Sequence, residues 1–383
     1  LLDDPSTSEE ISRLGAKTVL TVGRTRSFDD SRTVNESSAA AEIKRARDAY
    51  DIAASAKRDV ILMIASAASN TVAVATAENA GATIVELPRG DPRTVPAVAK
   101  KLAAMPNAPV IALGAPFTVE LGYTVSAVRS GVEQLGGGYL AFPGRTMVAL
   151  YGHPSSGALG VLGEKGVAAT VKRAHQLATT YRDVTKTPIV PAFEIIATVA
   201  SAGAGKDKNY SAETKIKDLL PLINAAEKSG VYVILDLQPG RTDFLTQAKL
   251  YESLLTRANV GLALDPEWRL RPKQKHLTQI GKVSVKEVNR VSDWLATLTR
   301  AHKLPQKVFV LHQFNISMIT DRGRLNMTHP ELATVIHVDG QGGQGAKQGT
   351  WKYLHEKAPK GVFWGWKNFH DEDKPMLSVK QTW

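Results

Sequence analysis

Several short apolar runs in this sequence contain acidic side chains, the residue type best suited to proton transfer. PIVPAFEIIATVAS (188–201) contains Glu194, VYVILDLQ (231–238) contains Asp236, and VGLALDPE (260–267) contains Asp265 and Glu267. Paired carboxyls can hydrolyse a glycosidic bond, because one protonates the leaving oxygen while the other attacks the sugar or activates water. The catalytic candidates, as acid/base or nucleophile, are therefore Glu194, Asp236, Asp265 and Glu267.

Further polar and aromatic side chains occur at the ends of similar apolar runs. These runs are MVALYGH (147–153), KVFVLHQF (307–314), ATVIHVDG (333–340) and GVFWGWKN (361–368). Aromatic rings provide stacking surfaces for sugar rings, and the polar groups would orient the substrate. The substrate-binding candidates are Tyr151, His153, Gln238, Trp268, His312, Asp339, Trp364, Trp366 and Lys367.

The periodicity of the chain after residue 146 predicts the elements that would bring these side chains together. Residues 242–258, between two acid-bearing runs, have apolar residues close to helical spacing, which predicts a strand, helix and strand with parallel strands. Further helical segments are predicted at 166–181, 212–229 and 284–302. Seven strands in this rhythm predict an α/β fold with a (β/α)7–8 TIM-type barrel, whose active site lies at the carboxyl ends of the strands. An open doubly wound sheet is the alternative.

The predicted barrel with acids at its strand ends resembles glycoside hydrolases in general. In the large retaining clan of these enzymes, the acid/base and the nucleophile end strands four and seven. Strand four here ends in Asp265 and Glu267, whereas strand seven ends in Trp366 and Lys367 without an acid. This departure supports an alternative in which the protein is a non-catalytic cell-wall-binding or structural lipoprotein.

Histidines near the strand ends raise a second chemical alternative, a metal-dependent barrel hydrolase. His153, His312 and His337 and the acids are the ligand types of such enzymes. No HxH or HExxH pattern occurs at the strand ends, and the Gly-rich stretch 152–166 matches no Walker, GxGxxG or GxSxG motif. We therefore predict neither a metal nor a cofactor. A second Gly-rich stretch, 340–349, is predicted to be a mobile loop over the barrel mouth.

The first part of the chain contains an imperfect repeat. TVLTVG (18–23) and PVIALG (109–114) align at an offset of 91 residues, and each follows a turn and an amphipathic helix. With its opening LLDDPS and the helix ending ISRLGAK (11–17), this pattern resembles the cell-wall-binding repeat (type 2) family of secreted Gram-positive proteins. The resemblance implies an exported, cell-envelope protein with a small N-terminal parallel α/β domain at 1–142 and the barrel at 143–383.

Composition restricts the partners of this chain of 383 residues. Its net charge is +11, and it has no cysteine, which excludes disulfides and thiolate metal sites. The basic residues are scattered without a nucleic-acid motif, so we predict no nucleic-acid partner; a basic surface suits an anionic envelope polymer or lipid headgroups equally, and more simply keeps the protein soluble. The resemblance to cell-wall-binding repeats is what implies a cell-envelope glycan or an anionic wall polymer as the partner. No apolar run is long enough for a transmembrane segment. Because the chain begins at Leu1 rather than methionine, we expect residues upstream of it.

Overall fold

The computed structural model describes residues 7–13, 15–16, 19–22, 31–39, 41–42, 44–45, 59–117, 120–356 and 358–383. Contacts divide the chain into two compact units, Leu1–Val125 and Ser126–Trp383. The border predicted near Phe142 lies inside the second unit. Gln134 and Ala141 precede this border but form hydrogen bonds within the second unit. Gln134 Nε2 donates to the backbone oxygen of Gln306, and Ala141 N donates to Gln306 Oε1.

The described part of the first unit consists of helices and short parallel strands. Its elements are α1 (Thr7–Arg13), β1 (Val19–Val22), β2 (Ser31–Val34), β3 (Ile61–Ile64), α2 (Thr71–Asn79), β4 (Thr83–Glu86), α3 (Pro96–Ala104), β5 (Val110–Leu113) and α4 (Leu121–Arg129), which crosses the division. Strand β1 pairs with β2, and β3 lies between β4 and β5. The two strands predicted at the 91-residue offset are confirmed as β1 and β5. Residues 37–55 have an Ala-rich sequence that predicts a helix, but most of them lie outside the described residues, and the repeat family stays a prediction.

The second unit alternates strands and helices, as its sequence predicts. Its elements are β6 (Thr146–His153), β7 (Ser156–Gly160), α5 (Val167–Arg182), β8 (Ile189–Ala200), β9 (Ser211–Glu213), α6 (Ile216–Lys228), β10 (Tyr232–Leu237), α7 (Phe244–Leu250), α8 (Glu252–Leu255), β11 (Val260–Leu264), β12 (Val283–Ser284), α9 (Val285–Ala301), β13 (Lys307–Gln313), β14 (Ile319–Thr320), β15 (Leu332–Val338), α10 (Gln344–His355), β16 (Phe363–Trp366) and α11 (Val379–Thr382). All seven predicted strands are present.

These seven strands form one parallel sheet in chain order, β6-β8-β10-β11-β13-β15-β16, with β7 antiparallel beside β6. The prediction of a closed TIM-type barrel is wrong, because in the described part of the chain β16 does not pair with β6. The outer edge of β6 bonds to the hairpin strand β7 instead, and β16 has only four residues. The doubly wound order is not seen either, since the strand order never reverses.

The open sheet is nevertheless curled, and side chains span the gap between its two end strands. The rings of Phe142, just before β6, and Phe363 in β16 have centroids 5.2 Å apart. At the other end of the same strands, Lys367 Nζ lies 3.7 Å from the ring centroid of Tyr151. The second unit is therefore a half-barrel whose inner face is enclosed.

Strand alternation gives the sheet two apolar faces. Phe193, Leu235, Leu262 and other large side chains face outward and pack on the helices in the main core. The inner face carries Ala192, Ala263, Ala333 and a few larger residues, which form a smaller second core. Small residues suit the concave side of a curled sheet, because less volume is available there.

The structure bears on two further predictions, the mobile loop at 340–349 and the lack of a transmembrane segment. Stretch 340–349 is not simply a mobile loop, since α10 begins within it at Gln344. Asp373 fixes this segment, because its carboxylate accepts bonds from the backbone of Gly342 and from Lys347 Nζ. None of the described helices has both the length and the apolar character needed to cross a membrane.

Candidate active site

The candidate active site lies on the inner face of the sheet, at the carboxyl ends of the strands. Side chains two apart in a strand share a face, so each inner-face row continues from the small core into the site. Val190 and Ala192 in β8 lead to Glu194, and Val310 in β13 leads to His312. The same alternation places further side chains on this inner face: Tyr151, Asp236, Asp265, His337, Asp339 and Lys367.

His312 is the centre of this site. Its Nε2 lies 2.5 Å from Glu194 Oε1, its Nδ1 lies 2.8 Å from Asp339 Oδ2, and the ring is completely buried. A neutral imidazole has one N–H donor, whereas His312 faces a carboxylate acceptor at each nitrogen, so the ring carries both protons. Burial would lower the pKa of His312, but the charge of Glu194 and the two hydrogen bonds raise it well above its ordinary value.

The two carboxylates that face His312 are held in their ionised form. Burial would raise the pKa of Glu194, but the charge of His312 and its hydrogen bond outweigh burial and lower this pKa to about 2. The pKa of Asp339 is lowered for the same reason, with burial opposed mainly by its hydrogen bond with His312. The imidazolium and these two carboxylates form a buried charge network.

Asp236 lies beside this network in a different environment. Tyr151 OH donates to Asp236 Oδ2 at 3.1 Å, and Gln238 Nε2 in turn donates to Tyr151 OH at 3.3 Å. Burial raises the pKa of Asp236 to about 6, although the charge of His312 and the bond from Tyr151 oppose the rise. Asp236 Oδ1 has no hydrogen-bond partner among the described residues. This carboxylate therefore has one positioned oxygen and one free oxygen.

Asp265 and Glu267 are carboxyl groups whose pKa values are raised. Asp265 follows β11, and Glu267 lies in the short 3-10 turn Pro266–Trp268, where proline fixes the first helical φ. Burial raises the pKa of Asp265 well above its ordinary value, with repulsion from Glu267 adding to the rise. Burial and then the charge of Asp339 raise the pKa of Glu267 to about 7. Glu267 is partly exposed, whereas Asp236 and Asp265 are buried.

His337 completes the inner wall in a neutral form. Its ring packs edge-on against His312, with centroids 4.7 Å apart, and burial lowers its pKa to about 4. Gly365 in β16 makes room for it, because a Cβ there would lie 3.1 Å from His337 Cδ2. His337 was not among the substrate-binding candidates. Its position in β15, two residues before Asp339, which directly follows the strand, is the signal that could have identified it.

Two overlapping sets of side chains have the composition of a metal site. Potential ligand atoms lie within 4.8 Å of one another in Glu194, His312 and His337, and again in Asp265, His312 and Asp339. Both sets require a nitrogen of His312, yet each of its nitrogens already bonds to a carboxylate. An imidazolium has no lone pair to offer a metal, so this arrangement favours a charge network.

The structure brings together all four catalytic candidates, and five of the nine substrate-binding candidates: Tyr151, Gln238, His312, Asp339 and Lys367. His153 instead bonds to Ser155 and Thr214, because the register shifts between Gly152 and His153 and the strand alternation ends there. Trp364 and Trp366 alternate to the outer face, where they contact Trp351 of α10. Trp268 packs against His276, with ring centroids 5.3 Å apart.

Comparisons with known proteins identify no relative of this chain. No family model matches it, and neither the curated proteins nor the solved structures contain a match. The site geometry therefore carries the functional argument.

Proposed function

We propose that this protein hydrolyses glycosidic bonds of a polysaccharide by carboxylate acid–base chemistry. The observation that carries the proposal is that carboxyl groups from successive strands converge around His312 with unused oxygens. Asp236, Asp265 and Asp339 each have a buried Oδ1 without a partner among the described residues. Buried oxygens without a partner cost free energy unless a ligand or a water bonds to them, and a hydroxyl group of the substrate could supply that bond.

The two reacting groups are Glu267 and Asp236. Glu267 is the general acid, because it is partly exposed and its pKa of about 7 keeps it protonated at any lower pH. Asp236 is the nucleophile or general base, because it is ionised above a pH of about 6 and its buried Oδ1, 4.0 Å from His312 Nε2, has no hydrogen-bond partner among the described residues. Carboxyls with such different surroundings are the usual means by which one site supplies both an acid and a base.

The remaining side chains position these groups. Tyr151 orients Asp236 through its hydroxyl, and Gln238 fixes Tyr151 because its own Oε1 accepts from Ala200 N at 2.9 Å. The positive charge of Lys367 lowers the pKa of Asp236 and, more weakly than His312, that of Glu194. The network of His312 holds negative charge close to the sugar, where an oxocarbenium-like transition state develops positive charge.

The substrate we propose is a cell-envelope polysaccharide, met by an exported protein. Support for this location comes from the N-terminal sequence pattern and from the net charge of +11, which attracts anionic wall polymers. A non-catalytic wall-binding role would use the same surface without turnover.

The test measures new reducing ends after incubation with neutral and acidic polysaccharides and with a Gram-positive cell-wall preparation. We expect hydrolysis by the unmodified protein and a roughly 10²- to 10⁴-fold loss in Glu267→Gln. Glu252→Gln, which removes an exposed carboxyl from α8, should match the unmodified protein. Glycan binding without turnover would support the non-catalytic alternative. Loss of activity on chelation, restored by a divalent metal, would support the metal-dependent one.

A further inference from the structure

A strongly basic cavity lies on the same edge of the sheet as the candidate active site. Its volume is about 330 Å³, and it is lined by side chains from the segments that follow β10, β11 and β13 and by the start of α9. Arg241 follows β10, Arg269 and Arg271 follow β11, and Lys282 lies just before β12. Segments that follow parallel strands all lie at the carboxyl end of the sheet, where Glu267 and Asp236 also lie.

Hydrogen bonds join the wall of this cavity to the segment that carries Glu267. Gly281 N donates to the backbone oxygen of Glu267 at 2.8 Å, and Lys282 N donates to that of Arg269 at 3.3 Å. Glu267 and Arg269 are two residues apart, so their Cα atoms are separated by at most about 7 Å. The backbone of the cavity wall therefore adjoins the backbone of the proposed acid.

The cavity has an excess of positive charge. One of its cations is neutralised, because Arg269 Nε lies 3.0 Å from Glu287 Oε1. Over the ranges that the structure describes, no carboxylate lies within ion-pair distance of Arg241, Arg271 or Lys282. Three cations thus face one small space without a paired anion. Arg271 and Lys282 are exposed, so solvent screens their repulsion, but the shared positive potential favours an anion in this space.

Arg241 shows that the cavity is organised for a ligand. Its guanidinium carbon lies 4.4 Å from the ring centroid of Tyr210, and one of its terminal nitrogens donates to the backbone oxygen of Gln274 at 3.0 Å. These contacts fix the plane of the guanidinium. Its Nε is buried and has no partner among the residues described. The other terminal nitrogen donates to the backbone oxygen of Lys208 at 3.4 Å, so Arg241 supplies a fixed positive charge, which attracts an anionic carboxylate or phosphate group.

We propose that this cavity binds an anionic group, a carboxylate or a phosphate, borne by the polysaccharide near the bond that is cleaved. The substrate class is accordingly an acidic polysaccharide. The anion site rests on the geometry of the cavity, whereas its role in substrate choice rests on the proposed hydrolytic function.

The test measures binding of inorganic phosphate, of an oligogalacturonate and of a neutral oligosaccharide of the same length, by calorimetry at low ionic strength. The informative variant is Arg271→Gln/Lys282→Gln, because both side chains are exposed and line the cavity. The matched control is Lys273→Gln/Lys275→Gln, which removes the same charge from exposed positions that do not line it.

We expect the unmodified protein to bind at least one of the two anions, and the cavity variant to lose about tenfold or more in affinity while the control loses little. Tighter binding of phosphate would indicate a phosphate-bearing polymer, and tighter binding of oligogalacturonate a uronic-acid polymer. The proposal is overturned if neither anion binds, or if the two double variants weaken binding equally, which would indicate only a general charge effect.

The same variants separate this proposal from the proposed hydrolysis. If neutral and acidic glycans are cleaved equally well by both double variants, the cavity has no role in substrate choice but hydrolysis stands. If anion binding depends on Arg271 and Lys282 while no glycan is cleaved, the anion site stands and the hydrolytic function fails.

Discussion

His312 Nε2 lies 2.5 Å from Glu194 Oε1, and both side chains are almost completely removed from water. An isolated charge in such a place would be strongly unfavourable, so each group depends on the other for its ionised state. Asp339 on the second ring nitrogen gives the network a net negative charge. Burial is the main reason why the pKa values of neighbouring Asp265 and Glu267 are raised; the charge of Asp339 adds to the rise and the charge of His312 opposes it.

Removing the imidazolium should destabilise the fold strongly. His312→Gln leaves Glu194 and Asp339 buried without their cation, which should lower the free energy of unfolding by about 3–5 kcal/mol. The pKa of His312 is raised, so its contribution is complete below its ordinary value of 6.5 and is lost as pH rises through the folded value. The pKa of Glu194 is lowered to about 2, so its contribution is present above 4.5 and is lost as pH falls. The effect should therefore be largest between pH 4.5 and 6.5.

Urea unfolding near pH 6 measures this effect, and the chain offers a matched control. His329 lies 2.7 Å from Asp293 in a pair whose carboxylate is largely exposed, so His329→Gln should cost about 1 kcal/mol or less. Similar losses for His312→Gln and His329→Gln would show that the buried network does not stabilise the protein.

The pH dependence of hydrolysis should be bell-shaped. Asp236 must be ionised, which requires a pH above about 6, and Glu267 must be protonated, which requires a pH below about 7. We therefore expect the highest kcat/KM between these values, with rates measured on one soluble glycan at constant ionic strength. A rate that does not change from pH 5 to 8 would be incompatible with these two roles.

Tyr151 should control the acidic limb of this profile. Its hydroxyl bonds to the ionised form of Asp236 and so lowers the pKa of that carboxyl. Tyr151→Phe removes this bond, and we expect the acidic limb to move to higher pH while the alkaline limb moves less. The exposed Tyr353 serves as the control through Tyr353→Phe. If the acidic limb of Tyr151→Phe stays in place, Tyr151 does not position Asp236 for reaction.

The buried carboxylate of Asp236 should reduce the stability of the folded protein at neutral pH. Its folded pKa of about 6 lies above its ordinary value of 3.8, so the folded state binds the proton more tightly. Stability of the unmodified protein should therefore fall as pH rises from about 4 to 6, by a total of about 2 kcal/mol. Asp236→Asn removes this effect and should unfold at higher temperature at pH 8, with a smaller difference at pH 4. Destabilisation by this substitution at pH 8 would contradict the burial argument.

The strands were predictable because their signal is local. Runs of apolar residues that contain Glu194 and Asp236, or end at Asp265, identify buried parallel strands, and alternation then puts these acids on one face. Closure of the barrel could not be predicted in this way, because it depends on whether the edge of β6 pairs with β16 or with β7. Strand β7 (Ser156–Gly160) occupies the edge of β6 that would have to pair with β16. Its residues are mostly small, and its sequence has little strand character.

The sequence also could not show which side chains from distant segments contact one another. Trp364 and Trp366 are aromatic residues that could stack on a sugar. They lie on the outer face of β16, however, where they contact α10. The sequence shows His312 and Asp339 at strand ends, yet only the fold shows that one imidazole bonds to two carboxylates. The basic cavity was missed because its cations come from three segments up to 41 residues apart, and in sequence they resemble ordinary surface charges.

The most direct test of the central claim compares leaving groups in Glu267→Gln. A general acid is needed when the leaving group is a sugar alkoxide, and much less when it is a dinitrophenolate, which departs without a proton. The assay measures kcat/KM for an accepted oligosaccharide and for the corresponding dinitrophenyl glycoside. We predict a loss of roughly 10²- to 10⁴-fold on the oligosaccharide and a far smaller loss on the dinitrophenyl glycoside. Equal losses on both substrates, or none on either, would contradict the assignment of Glu267 as the acid.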